Sequence, residues 1–274
     1  MQTDELIIEA GRAERHYWQD LWRFRELLYF LAWRDVLVRY KQTAIGVAWA
    51  LIRPVLTTVV FVFVFGKLAK LPSDGVPYPI LVFAALLPWQ FFANAFAEAG
   101  SSLISNANMI SKVYFPRLVI PASAVIVGLV DFLLSGVMLA GLMLWYGVAP
   151  DWRIVTLPLF LAVAVVAAMG AGLWIAALNV QYRDFRYIIP FVVQFGLYIS
   201  PVGFSSAIVP EQWRLLYSLN PMAGVIDGFR WAILGGENQL YWPGMSLSLA
   251  LVLVIASTGI LYFRKMEKSF ADVI

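Results

Sequence analysis

The sequence has no cysteine and only one histidine in 274 residues. Disulfides, thiolate metal sites and cysteine nucleophiles are thereby excluded, and histidine chemistry rests on His16 alone, in a polar leading stretch. Charge is scarce as well. Only 14% of residues are Asp, Glu, Lys or Arg, where a soluble domain carries about 25%. No G-x-x-x-x-G-K-[ST] loop occurs, so the chain holds no ATP site of that kind. His-Glu-x-x-His, Gly-x-Ser-x-Gly and clustered-carboxylate signatures are missing too, leaving no catalytic constellation and no metal site to assign. The opening MQTDELIIEAGRAER is acidic and polar, so no cleavable signal peptide is expected. The alternation of a membrane β-barrel, in segments of about 10 residues, is absent.

What is present is apolar length. Hydrophobic residues make up 61% of the chain and the mean hydropathy is +0.77. Several runs exceed the roughly 18 residues that cross a bilayer as a helix. The expected fold is an all-α integral membrane protein with six transmembrane helices. These run from about Ile45 to Gly66, Ile80 to Ala99, Leu118 to Tyr146, Ile154 to Leu178, Ile188 to Ala207 and Pro243 to Phe263. The third is long and is expected to tilt.

Residues 17–41 mix aromatics with charge, and Trp18, Leu21, Trp22, Arg25, Leu28 and Tyr29 run along one side. An amphipathic helix in the headgroup region fits this pattern, and an ordinary solvent-facing helix is the other reading. Residues 208–242 hold two short amphipathic pieces broken at Asn220-Pro221. They read either as half-helices re-entering the outer leaflet or as a flat external cap, and Asp227 and Arg230 are spaced to pair there. We expect one domain: 1–44 tail and interface helix, 45–207 spans one to five, 208–242 the re-entrant segment, 243–263 span six, and 264–274 a tail.

Orientation follows from the basic residues. With the N-terminus cytoplasmic, fourteen of the twenty Lys and Arg lie inside and five outside, with Arg53 in a span. Both termini are therefore expected in the cytoplasm. Arg53, Glu98 and Asp131 are ionisable groups within spans. Asp131 is the deepest, and it reads either as a proton relay or as a partner for a neighbouring helix. Trp89, Phe91, Phe92, Trp145, Tyr146, Trp152, Trp213, Tyr217, Trp231, Tyr241 and Trp242 cluster at expected span ends or in the 208–242 segment. They form either an interfacial belt or a surface on which sugar rings stack.

Three stretches go beyond composition: RDVLVRYKQTAIGVAWALIRP, the run LLPWQFFANAFAEAGSSLISNANMISKVYFPRLVIPASAVIVGLVDF, and ALNVQYRDFRYIIPFVVQFGLYISPVGF followed by LYSLNPMAGVIDGFRWAI. With the terminal FRKMEKSFADVI, the chain from about residue 30 onward resembles the membrane subunit of polysaccharide-export ABC transporters, which includes O-antigen and teichoic-acid export permeases. The resemblance implies a homodimer in the bacterial cytoplasmic (inner) membrane and two copies of a separate ATPase that carries the ATP and Mg. It implies no cofactor in this chain, no nucleic-acid partner, and a cargo of polysaccharide on a lipid diphosphate.

The resemblance also implies a cytoplasmic coupling helix at about residues 105–117, with Asn108, Ile110, Lys112, Val113, Tyr114 and Arg117 as ATPase contacts. Ile110, Val113 and Tyr114 are spaced to form one apolar helical face, and Pro116 ends the helix. A second contact is expected at Tyr182–Tyr187, with Arg183 and Asp184. Arg34, Arg39, Lys41 and Arg53 are candidates for the lipid diphosphate, or represent the ordinary inside excess of cations. Trp89, Phe92, Trp213, Tyr217 and Trp231 are candidates for a glycan channel or gate. Other readings are a permease for a drug or small lipid, a proton-coupled carrier using Asp131, and a membrane-embedded transferase.

Overall fold

The computed structural model describes residues 17–41, 46–73, 75–235 and 240–270. The polar leading stretch with His16, the expected start of the first span at Ile45 and the last four residues lie outside the described residues. Among the described residues every regular element is helical. Two helices come first, α1 (Tyr17–Arg23) and α2 (Arg25–Lys41). Then follow α3 (Gly46–Phe61), which continues as π-helix over Val62–Leu68, α4 (Tyr78–Ser105) and the one-turn α5 (Ala107–Ile110). Next are α6 (Val119–Tyr146), a 3-10 turn at Trp152–Thr156 running into α7 (Leu157–Gln181), and α8 (Phe185–Ile199). The chain closes with α9 (Glu211–Tyr217), α10 (Pro221–Leu234) and α11 (Trp242–Met266).

Among the described residues, five helical stretches are long and apolar enough to cross a membrane: Ala48–Leu68, Tyr78–Ser105, Val119–Tyr146, Trp152–Gln181 and Trp242–Ser269. The expected fifth span, Ile188 to Ala207, is a shorter helix in the structure. α8 has 15 residues and stops where Ser200 turns extended. At 1.5 Å per residue it measures about 22 Å, against about 30 Å of hydrocarbon.

α4 sits at the centre, packed against α3, α6, α7, α8 and α10. Most of its apolar stretch (83%) is buried, against 17% for α3. Small residues let the neighbouring backbones close in. A Cβ on Gly170 of α7 would lie 2.5 Å from the Cα of Ala256 in α11, and one on Gly259 would lie 2.3 Å from the Gly170 carbonyl oxygen. Such contacts drive helix association where lipid supplies no hydrophobic force. α6 ends at Gly147 in the left-handed region (φ 67°). There Gly147 N–H donates to Leu144 O and Val148 N–H to Met143 O, which satisfies the last carbonyls.

The bundle has two distinct ends. At one, α1, α5, the start of α6 and the end of α11 share a core that contains Tyr17, Ile110, Phe115, Val119, Phe263 and Phe270. At the other, α9 and α10 meet the starts of α4 and α11. There Ser248 Oγ donates to Ser218 O at 3.1 Å and Tyr78 OH to Gly203 O at 2.6 Å. α10 does not lie flat on the surface: it packs between α4, α7 and α11 with most of its residues buried. The Asn220 side chain caps it by accepting from Met222 N–H.

Candidate functional site

The segment between α4 and α6 is held by three anchors. Ile110 and Phe115 are both buried. Arg117 N–H donates to Glu267 Oε1 at 2.7 Å, and its guanidinium donates to the Glu267 backbone oxygen. The same guanidinium lies 6.0 Å over the Phe270 ring, while Arg264 lies 4.7 Å over Tyr17. Burial and, after it, the Glu267 carboxylate push the Tyr17 hydroxyl well above its ordinary value, so it stays protonated.

The expected apolar face of Ile110, Val113 and Tyr114 does not form. The helix stops at Ile110, and Val113 and Tyr114 are 56% and 54% exposed. The reason is geometric. Residues five apart point about 140° away from each other on a helix, so Ile110 and Phe115 can both be buried only if the chain leaves helical form between them. Pro116 reinforces this by disfavouring a helical Phe115. What remains is a loop whose tip (Lys112, Val113 and Tyr114) stands out from the bundle. Around it lies a groove of about 790 Å³, lined also by Asp20, Arg264, Lys265 and Lys268. Arg183 and Asp184 lie apart from that groove, on an exposed turn between α7 and α8.

A second cavity, of about 620 Å³, opens between α2, α3, α4 and α6. At its end Arg39 donates to Asp131 Oδ2 at 2.6 Å and to Glu98 Oε1 at 2.8 Å. The Tyr40 hydroxyl donates to Asp131 Oδ1. Burial first, then that bond, push the Tyr40 hydroxyl upward, so it remains a donor. Asp131 is therefore paired with α2, as the interhelical reading expects, and α2 is tied to both α4 and α6.

The four candidate cations for the lipid diphosphate do not all line one site. Arg39 and Arg53 line this cavity. Arg34 instead bonds Asp35 at 2.8 Å and Asn106 at 3.3 Å, and Lys41 is exposed at the end of α2. Among the described residues Arg53 makes no ion pair.

The five candidate gate aromatics also separate. Trp89 and Phe92 are buried in the core of the chain, with Trp89 filling the space above Gly196 and Phe92 stacked on Phe96. Trp213 is exposed. Tyr217 donates to Ile199 O at 2.7 Å, and Trp231 packs edge-on against Trp152 and Phe160 beneath Arg153.

Sequence reasoning missed Glu267 and Phe270, whose partners lie far away in the chain. It named Arg230 only as a partner for Asp227, whereas the side chain is 5% exposed and donates to the carbonyls of Leu81, Val202 and Phe204 at 3.2, 3.0 and 2.7 Å. Nothing local marks that role. By contrast, Gln90, Asn94 and Glu98 repeat every four residues, a signal that was legible and unused.

Comparison with known proteins agrees with this architecture. The chain is 28% identical over 260 residues to an O-antigen export system permease protein from Myxococcus xanthus, covering 93% of this chain and 98% of the relative. A Klebsiella pneumoniae protein of the same description is 26% identical over 253 residues, covering 91% and 95%. The polysialic acid transport protein of Escherichia coli is 21% identical over 243 residues, covering 86% and 92%. The family profile described as ABC-2 type transporter matches residues 26–234, and the chain belongs to that family.

Proposed function

We propose that this chain is the channel-forming permease subunit of an ATP-driven exporter that moves lipid-diphosphate-linked polysaccharide across the bacterial cytoplasmic membrane. Two copies of this chain work with two copies of a separate nucleotide-binding subunit, which supplies the ATP and Mg. Similarity over nine-tenths of the chain to export permeases supports the class of cargo. The observation that carries the mechanism is the loop at 107–117. Its tip is exposed while Ile110, Phe115 and the Arg117–Glu267 contacts fix its base. A push on the tip therefore reaches α6 and α11 together.

The membrane arrangement follows from the same reading. α8 with the extended residues after it forms a sixth crossing. Its start follows the end of α7, and its far end meets α9 and α10 through Tyr217–Ile199 and Asn220–Ser200. Six crossings leave both termini cytoplasmic, in keeping with the excess of Lys and Arg on that side. α1 and α2 lie in the headgroup region, with Trp18, Trp22 and Tyr29 exposed and Leu21 and Leu28 turned to the core. α9 and α10 re-enter from the outer side and close the pathway at rest, with Trp213 and Tyr217 nearest its mouth. Arg53, which lines the cavity, meets the lipid diphosphate.

Reconstitution tests the reading. The permease with its ATPase in proteoliposomes should translocate lipid-linked glycan only when ATP is supplied, and a photo-crosslinker at Tyr114 should capture the ATPase. Translocation that follows a proton gradient without the ATPase would overturn it.

A further inference from the structure

We propose that the embedded cavity between α2, α3, α4 and α6 is a carbohydrate subsite that takes the sugars next to the lipid diphosphate. The proposal rests on the export reading above and adds which chemical part of the cargo this cavity recognises.

Gln90, Asn94 and Glu98 lie at four-residue spacing and form one ridge down α4. Ser135 lies one turn beyond Asp131 on the facing helix α6. The Gln90 and Asn94 amides and the Ser135 hydroxyl make no hydrogen bond among the described residues. Uncharged polar groups at membrane depth are costly without partners, so a ridge of them facing a cavity is explained by something that bonds there. An amide both donates and accepts, as a sugar hydroxyl does.

Charge decides against a phosphate in the body of the cavity. Arg39 with Glu98 and Asp131 sums to one negative charge, and Arg53 is the other cation of the lining. Arg39 is already held by both carboxylates, which would repel a diphosphate. A neutral, hydroxyl-rich ligand pays no such penalty. Trp49, 52% exposed on the α3 wall, offers a flat apolar ring to the C–H face of a sugar. The volume, about 620 Å³, lies in the roughly 300–1,000 Å³ range of small-ligand pockets. Arg53, without an ion pair among the described residues, is left for the diphosphate.

The test uses the permease–ATPase complex in nanodiscs and reads the concentration that half-maximally stimulates ATP hydrolysis. The probes are lipid-linked glycan extracted from producing cells and sugar-free polyprenyl diphosphate. The Gln90→Leu/Asn94→Leu double variant should require about tenfold more lipid-linked glycan, the size of one or two lost hydrogen bonds. Its response to sugar-free polyprenyl diphosphate should stay as in the wild type, whereas Arg53→Gln should weaken both. If the double variant does not assemble with the ATPase, a photo-reactive residue at position 94 decides: a crosslink to glycan is expected. Equal loss for both probes, or a crosslink only to the polyprenyl chain, overturns the subsite. A wild-type complex that responds to neither probe removes the export reading itself, and the subsite with it.

Discussion

The two cavities are built from the same residue types and treat charge in opposite ways. The cavity between α2, α3, α4 and α6 sets two arginines against two carboxylates, and Arg39 bonds both carboxylates, at 2.6 and 2.8 Å. The groove at the end of the bundle gathers Lys112, Arg117, Arg264, Lys265 and Lys268 against Asp20 and Glu267, an excess of three positive charges (five minus two). The difference follows from the surroundings. Charge away from water must be balanced where it sits, whereas charge beside water is solvated and can remain in excess, ready to attract a partner.

The largest effect should come from breaking the balance in the embedded cavity. Asp131→Asn leaves Arg39 with Glu98 alone and should cost about 2–3 kcal/mol, somewhat below the 3–5 kcal/mol of a fully buried pair because this one is partly exposed. Thermal unfolding in detergent reads this. The double variant Arg39→Gln/Asp131→Asn should recover at least half of the loss. No recovery would mean that the pair is not there for charge balance.

Next comes the clasp at the other end. Arg117→Ala removes the guanidinium from Glu267 and Phe270 and should reduce export about tenfold, equivalent to roughly 1.4 kcal/mol of lost coupling. The ATPase should still co-purify, because the loop tip is untouched. Loss of both together would show that Arg117 serves docking rather than transmission.

A smaller change tests the excess charge. Lys112→Glu with Lys265→Glu should weaken ATPase association about fivefold at low salt, and the gap should shrink as ionic strength rises past about 0.5 M. An unchanged affinity would mean that the cations are there only for orientation in the membrane. Lys41→Gln should do least, within about 0.5 kcal/mol, since Lys41 stands exposed outside both cavities.

Much of the fold was legible, and the errors were local. The ends of four long spans agree with their apolar runs to within a few residues, because hydrocarbon thickness demands continuous apolar length. α4 runs on past Ala99 to Ser105, since its last turns are covered by neighbouring helices rather than by lipid. The helix of the fifth span is shorter than expected, because Ser200-Pro201 and Gly203 break it within the apolar run. The backbone leaves the helix at Ser200 and offers Val202 and Phe204 carbonyls to Arg230. The segment at 105–117 has a different shape from the one expected. Spacing alone gave Ile110, Val113 and Tyr114 a common face, while Phe115 competed for burial and won.

By itself the sequence determined that this is a helical membrane chain and where its long helices run. Those properties depend on neighbouring residues and on the solvent around them. Only the tertiary structure decided that Arg39 answers both Glu98 and Asp131, that Arg117 is fastened to Glu267, and that Arg230 closes on three distant carbonyls. A buried charge must find its complement within about 3 Å. Which group stands at that distance is set by how the helices pack, not by how far apart the residues are in the chain.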